Sequence, residues 1–192
     1  FQARETADLF LVLILKLLGN GGKAAIVLPD GSLFGEGVKT RIKERLLKEC
    51  NLHTIVRLPN GVFAPYTGIN TNLLFFTSGE PTREVWYFEH PMPSDRKQYS
   101  KTRPITIGEF DLEKAWWEQR EESAYAWRVP VETLEARNYN LDIKNPNAEE
   151  EDYGDPDRLL ARYRSHLAKA ADLRAQLKAE LAAAIERTSH AD

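Results

Sequence analysis

The sequence predicts an α/β fold built on a mixed sheet, and three observations carry this prediction. A short apolar run of strand length is followed by a glycine-containing loop and then by a segment with helical spacing. Two more strand-like segments follow, and the connection between them, residues 62–70, is short. Since a parallel crossover usually needs roughly a dozen residues or more, these two strands are expected to be antiparallel neighbours.

Residues 6–18 are almost all strong helix formers and end at Gly19-Asn20-Gly21-Gly22. This pattern predicts a buried helix with Thr6 or Asp8 as its N-terminal cap. The apolar run Lys23–Leu28 comes next, between a glycine and a proline. Its lack of alternation is typical of a central parallel strand with both faces covered.

The following segments are predicted in the same way. A loop over residues 29–37 leads into residues 38–50, whose apolar side chains recur at helical spacing beside a charged face. Residues 52–58 and 71–77 are predicted to be the second and third strands. Residues 84–90 alternate around Trp86 and Phe88 and are expected to add an edge strand.

The sequence divides into four predicted parts. Residues 1–90 form the α/β part, and residues 91–147 form a mixed extension with a helical piece over residues 109–122. Residues 148–157 are rich in acidic side chains and are expected to be a linker. Residues 158–187 are predicted to form one long helix.

The long helix carries an apolar stripe whose members alternate in steps of three and four. A helix with such a stripe requires a helical partner to bury it. The stripe consists of Leu160, Tyr163, Leu167, Ala170, Arg174, Leu177, Leu181 and Ala184, and Leu173 and Ile185 widen it.

Composition limits the kinds of function. The 192 residues include 26 Lys and Arg and 29 Asp and Glu, a net charge of −3, so no general basic field holds DNA or an anionic membrane. The single cysteine, Cys50, excludes an internal disulfide and favours a reducing compartment. Residues 9–18 are too short to span a bilayer, so a cytoplasmic location is expected. The first residue is Phe1 rather than Met, which suggests part of a longer polypeptide.

Motifs for phosphate binding, metal binding and nucleophilic catalysis are weak. The glycine cluster at residues 19–24 precedes a strand, whereas a P-loop follows one, and the loop ending at Gly37 is too long for a glycine-rich cofactor turn. Cys50 and His53 lack a second ligand pair, so no metal site is predicted. Cys50 is expected to be a small core residue instead.

The connection between the second and third strands is more informative, because it places Phe63 and Tyr66 in a short loop rich in Pro and Gly. Aromatic rings on a constrained loop can stack on a base or a sugar. The alternative, that Phe63 closes the core, stays open from the residues alone. Basic side chains of the helix over residues 38–50 allow either phosphate contacts or a solvated face.

Several strings of residues resemble one family closely. Taken together, they resemble the modification (M) subunit of type I restriction-modification systems, an S-adenosylmethionine-dependent adenine-N6 DNA methyltransferase. The strings are Glu5-Thr6-Ala7-Asp8-Leu9-Phe10, residues 21–34, residues 68–76, residues 99–105, Trp116-Trp117 and residues 138–146.

The resemblance implies the C-terminal half of a Rossmann-like methyltransferase sheet, followed by an irregular extension and a long helix. It also implies S-adenosylmethionine as cofactor, with DNA, a DNA-specificity (S) subunit and a restriction (R) subunit as partners. The family's glycine-rich cofactor loop and its Asn-Pro-Pro-aromatic tetrapeptide are expected upstream of Phe1. Asn145-Pro146-Asn147 is not that tetrapeptide. No catalytic residue is therefore assigned, and the chain alone is expected to be inactive.

The resemblance also assigns roles to a few residues. Phe63 corresponds to the aromatic that packs against the extruded target base, with Tyr66 as the substitute. Phe10 corresponds to an apolar wall of the cofactor's adenine pocket. The long helix, through Leu167, Leu177 and Leu181, resembles the part that packs on the specificity subunit. The alternative is a non-catalytic interaction module whose sheet only supports this helix.

Overall fold

The computed structural model describes residues 5–148 and 155–189, and the side chains of the last helix as far as residue 182. The chain divides after Ala148 into two units, which are described separately. In chain order the helices are α1 (Thr6–Leu17), α2 (Asp30–Phe34), α3 (Val38–Glu49), α4 (Asp111–Glu118), α5 (Val131–Ala136) and α6 (Pro156–Ser189), with a 3-10 helix at Ile107–Phe110. The strands are β1 (Lys23–Pro29), β2 (Cys50–Arg57), β3 (Thr71–Ser78), β4 (Glu84–Glu89) and β5 (Ala126–Pro130).

The five strands form one mixed sheet in the order β1-β3-β2-β4-β5. Strand β3 is antiparallel to both β1 and β2, so the predicted antiparallel pair is confirmed. Strands β2 and β4 are parallel, and β5 is antiparallel to β4. The carboxyl ends of β1, β2 and β4 therefore lie along one side of the sheet, which we call the carboxyl edge.

Each face of the sheet buries its own apolar cluster, because successive side chains of a strand point to opposite faces. Leu74 and Phe76 of β3 belong to the larger cluster, which the buried side of α3 completes through Leu46. Leu73 and Phe75 lie against the smaller cluster, which includes Trp116 of α4. The α/β class predicted from the sequence is thus confirmed.

Two strand predictions are wrong. Within the described residues β1 is an edge strand that pairs with β3 alone, and Lys23, Ala25 and Val27 are exposed. A run of small and branched apolar residues hides this alternation, since Ala25 sits equally well on either face. Strand β4 is not an edge strand, because β5 pairs with its far side.

The two helices predicted along residues 6–50 are present as α1 and α3, with corrections to α1 and to the segment between them. Helix α1 is half-buried rather than buried, and its N-cap is Glu5 rather than Thr6 or Asp8. A short helix, α2, lies inside the segment predicted to be a loop. The helical piece expected over residues 109–122 is shorter and consists of the 3-10 helix followed by α4.

The second unit contains α6, which confirms the long helix predicted for residues 158–187. Most of the predicted acidic linker, residues 149–154, lies outside the described residues. The domain boundary expected at residue 90 stays a prediction. Among the described helices, none combines the length and apolar character needed to cross a membrane.

Candidate functional site

The candidate site lies at the carboxyl edge of the sheet, where ligands bind in open α/β sheets. Of the segments that follow β1, β2 and β4 at this edge, two form the candidate site: residues 30–37 after β1, and residues 58–70 after β2. We call the second one the aromatic loop, because it carries Phe63 and Tyr66.

The aromatic loop is closed by hydrogen bonds between its own backbone groups. The Ala64 N–H donates to the Gly61 carbonyl over 2.9 Å. The N–H groups of Tyr66 and Thr67 donate to the Phe63 carbonyl over 2.9 and 3.2 Å. These short turns restrict the backbone on both sides of the Phe63 ring, as expected for a constrained loop.

Both aromatic rings of this loop are accessible. Phe63 is 39% exposed and Tyr66 is 92% exposed. The neighbouring Val62 instead packs against the smaller apolar cluster. Val62 therefore fills the position at the core that the alternative interpretation gave to Phe63, and the Phe63 ring is available to a ligand. Its role in base stacking stays a prediction.

A polar cluster that sequence reasoning missed holds the loop after β1 against α1. Ser32 Oγ donates to Asp8 Oδ1 over 2.9 Å, between two buried residues. Lys39 Nζ donates to Glu5 Oε2 over 2.6 Å and to the Gly31 carbonyl over 3.0 Å. Asp8 lies in the Glu5–Phe10 string that carries the resemblance, which was the available indication that it matters.

A second contact joins this loop to the start of β3. Asn72 Nδ2 donates to Asp30 Oδ1 over 2.6 Å. Asn72 is buried, and its register partners are Leu28 of β1 and Arg57 of β2. The loop after β1 is thus fixed from the centre of the carboxyl edge as well as from α1.

Lys43 of α3 holds the same loop, residues 30–37, through hydrogen bonds to its backbone. It is buried, and its Nζ donates to the carbonyls of Leu33 and Gly35 over 2.6 and 2.8 Å. Burial, with a smaller contribution from the nearby Lys39 charge, lowers the pKa of Lys43 from 10.5 to about 8. A charged Lys43 is therefore destabilised in the folded chain relative to water.

This lowered pKa predicts a pH-dependent stability. Between pH 8 and 10.5 the unfolded chain keeps the Lys43 proton and the folded chain releases it, so the contribution of Lys43 to the free energy of unfolding rises with pH. The slope for one proton is at most about 1.4 kcal/mol per pH unit. Urea unfolding at pH 7 to 10 should show this rise for the unmodified chain relative to Lys43→Met. A difference between the two chains that does not change with pH would contradict it.

Phe10, the predicted cofactor contact, lies in the second turn of α1 and is 56% exposed. It shares an exposed apolar side of the helix with Leu9 and Leu13, opposite the buried Leu11 and Leu15. The structure therefore places Phe10 and the aromatic loop on different elements. An exposed apolar ring of this kind suits the flat face of an adenine.

The predicted partner-binding residues lie in the second unit. Leu167, Leu177 and Leu181 of α6 are 47, 69 and 60% exposed. Exposed leucines recurring along one helix form an apolar stripe of the kind that helical partners bury.

The weaker sequence motifs involve Cys50 and His53, which the structure places in packed surroundings. Among the residues that the structure describes, no group of three or more His, Cys, Asp and Glu side chains is placed to hold a metal ion. Cys50 is buried in the larger apolar cluster, as its interpretation as a core residue predicted, and burial raises the pKa of its thiol. His53 packs edge-on against Trp117.

Comparison with known proteins identifies the family. The profile of the N-6 DNA Methylase family matches residues 1–154. The chain belongs to the N-6 DNA methylase family. This methylase segment is 58% identical over 191 residues to the EcoEI methylase subunit of a type I restriction enzyme from Escherichia coli, covering 96% of the chain and 39% of that relative. It is 38% identical over 106 residues to the EcoKI methylase subunit of Escherichia coli K12, covering 50% of the chain and 20% of the relative.

Solved structures agree with this membership. A modification subunit assigned to a type I restriction enzyme from Vibrio vulnificus YJ016 matches with a TM-score of 0.73 and 48% identity, over 77% of the methylase segment and 33% of that chain. A chain from a structure on complex assembly and conformational transition of the type I R-M system matches with a TM-score of 0.74 and 34% identity. The match covers 93% of the methylase segment and 40% of that chain. The sheet thus has the Rossmann-like methyltransferase fold. The segment spans about two fifths of the EcoEI subunit's length.

Proposed function

We propose that this methylase segment is part of a type I restriction-modification methylase subunit that transfers a methyl group from S-adenosylmethionine to N6 of adenine in DNA. The observation that carries the proposal is the aromatic loop, whose exposed Phe63 and Tyr66 lie at the carboxyl edge of a methylase sheet. The match to the EcoEI methylase subunit over almost the whole segment supports it.

The loop has a specific task in this reaction. Adenine N6 is inaccessible inside a stacked duplex, so the target base must be extruded, which costs a few kcal/mol. Stacking an aromatic ring on the extruded base offsets roughly 1–3 kcal/mol of this cost. In the proposal Phe63 supplies that ring, and Tyr66, which closes the turn that begins at Phe63, is the substitute.

The proposed contact with the cofactor involves one residue of this chain, Phe10. S-adenosylmethionine supplies the methyl group when bound, and Phe10 would form one apolar wall for its adenine. The exposed apolar side of α1 fits this use, because Leu9 and Leu13 extend the apolar surface around Phe10. The polar cluster of Asp8, Ser32 and Lys39 would keep α1 and the loop after β1 in a fixed arrangement beside it.

The partners follow from the same proposal. The α6 stripe docks on a helical region of the DNA-specificity subunit, and the restriction subunit joins the complete complex. This division explains the net charge of −3, since the specificity subunit would read the DNA sequence. The location is the cytoplasm, where DNA and S-adenosylmethionine meet.

The direct test uses tritiated S-adenosylmethionine and unmethylated DNA. The intact enzyme, meaning the native polypeptide that contains this segment with the subunits that co-purify with it, should place tritium in N6-methyladenine. Label in another nucleoside, or none in the DNA, would refute the proposal.

The 192-residue chain alone is expected to transfer no methyl group, because its sequence contains no Asn-Pro-Pro-aromatic tetrapeptide to polarise the adenine amine. The same tritium assay, run with the chain in place of the intact enzyme, measures this. Transfer by the purified chain above the level without protein would show that other residues perform the chemistry.

A second candidate function is a non-catalytic interaction module, which the exposed α6 stripe favours. In that case the aromatic loop has no part in turnover. Replacement of Phe63 by Ala in the intact enzyme separates the two candidates, because unchanged turnover would favour the module.

A further inference from the structure

The beginning of the aromatic loop, at Asn60 and Gly61, contacts the backbone of Tyr99, a residue far along the chain. The Tyr99 N–H donates to the Asn60 carbonyl over 3.0 Å. Gly61 has a φ of +82°, and a Cβ there would overlap the Tyr99 carbonyl oxygen and lie 3.0 Å from its carbonyl carbon. Both the positive φ and the close approach require glycine at position 61.

Tyr99 is itself held rigidly. It is fully buried, and its hydroxyl donates to Glu109 Oε2 over 2.6 Å. The other oxygen of Glu109 accepts hydrogen bonds from the N–H and hydroxyl of Thr106, which cap the 3-10 helix. Burial and the Glu109 carboxylate raise the pKa of Tyr99, so its hydroxyl stays protonated and remains a donor.

The hydroxyl of Tyr99 also lies near a buried contact between a histidine and a carboxylate. Its hydroxyl oxygen is 3.5 Å from His90 Nε2, and His90 Nδ1 contacts the Glu113 carboxylate. The ring of His90 packs on Phe110, which lies against the same apolar cluster as Val62. Tyr99 and Val62 thus fix the beginning of the aromatic loop to one rigid surface, whereas Phe63 and Tyr66 project from it.

We propose that Tyr99 is a positioning residue for methyl transfer, which holds the Asn60–Gly61 turn so that the Phe63 ring meets the extruded base. This inference rests on the proposed function, because it assumes that Phe63 stacks on the target adenine. The hydroxyl bond to Glu109 keeps the Tyr99 backbone in place, and Gly61 allows the backbone contact. Tyr99 itself touches no substrate.

The test compares Tyr99→Phe and Gly61→Ala in the intact enzyme. Tyr99→Phe removes one hydrogen bond to a carboxylate and is expected to lower kcat about 3- to 10-fold. Gly61→Ala displaces the loop and is expected to lower kcat about 100-fold, the scale of a 1 Å misplacement. The KM for DNA should stay within about twofold for both, because neither residue contacts phosphates in the proposal. Tyr125→Phe, which removes a hydroxyl from a half-exposed tyrosine outside the loop, is the matched control.

A second readout distinguishes positioning from general damage. If the variants hold the extruded base poorly, their defect should shrink on DNA whose target adenine faces an abasic site, because extrusion then costs less. A defect of equal size on both DNAs would overturn the inference, as would unchanged kcat in both variants.

The Phe63→Ala variant separates the two levels of the proposal. If Phe63→Ala also leaves kcat unchanged, the proposed function of the loop fails. If Phe63→Ala lowers kcat while Tyr99→Phe and Gly61→Ala do not, the positioning role alone fails. Tyr99→Phe keeps the buried ring and is therefore expected to fold. If Gly61→Ala fails to fold, the kcat of Tyr99→Phe decides the inference.

Discussion

Replacement of Phe63 by Ala in the intact enzyme is expected to lower kcat by about 5- to 150-fold. This range corresponds to the loss of roughly 1–3 kcal/mol of stacking on the extruded base, at about 1.4 kcal/mol per tenfold. The KM for DNA should change little, because Phe63 contacts the base after extrusion rather than the phosphates. Initial rates of tritium incorporation at saturating DNA and S-adenosylmethionine give both constants.

Three further variants make this result specific. Phe63→Tyr keeps a ring at the loop and should retain a rate within about threefold of the unmodified enzyme. Tyr66→Ala tests the substitute, and a larger loss there than for Phe63→Ala would transfer the stacking role to Tyr66. Tyr125→Ala removes an exposed ring elsewhere and should leave turnover unchanged. Because Phe63 is 39% exposed, its removal should lower stability by less than about 1.5 kcal/mol.

The parts of the fold that the sequence predicted are those governed by local pattern. Helix α3 shows its buried side as apolar residues at helical spacing, and the short connection after β2 forces an antiparallel neighbour. Strand β5 was not predicted, because its five residues follow an irregular segment and form too short a pattern. Its side chains are also divided between the two faces: Trp127 and Val129 belong to the larger apolar cluster and Ala126 to the smaller one. Within the described residues, the edge position of β1 depends on which strands surround it, and its own residues do not carry that information.

The candidate site divides in the same way. Phe63 and Tyr66 were found because an aromatic ring between Pro and Gly in a strand connection is a local pattern. The contact between Gly61 and Tyr99 joins residues far apart in the chain, so no spacing predicts it. Lys43 belongs to the basic side of the helix predicted over residues 38–50, for which phosphate contacts and a solvated face were both open. The structure instead buries it, and its Nζ donates hydrogen bonds to two carbonyls around α2. A charge in a helical pattern does not reveal whether the tertiary structure supplies acceptors.

The second large effect is expected in α6. Replacing Leu177 and Leu181 together by Asp should abolish co-purification with the DNA-specificity subunit. Each leucine is exposed in this chain and would be buried in a helical interface, where an unpaired carboxylate costs several kcal/mol. A combined loss of at least about 4 kcal/mol weakens the Kd about a thousandfold. Pull-down of the specificity subunit by tagged methylase, followed by titration calorimetry, measures the loss.

The matched control places the same charges on the other side of the helix. Ala175 and Ala179 are exposed and lie opposite the stripe, so Ala175→Asp with Ala179→Asp lowers helix propensity at least as much without entering the seam. Binding should then be kept, and circular dichroism should show similar helix content in both double variants. Loss of binding in both would indicate that α6 contributes through its helicity alone. Retained binding after the Leu177 and Leu181 changes would instead exclude this stripe as the interface, because two buried carboxylates are incompatible with an apolar seam.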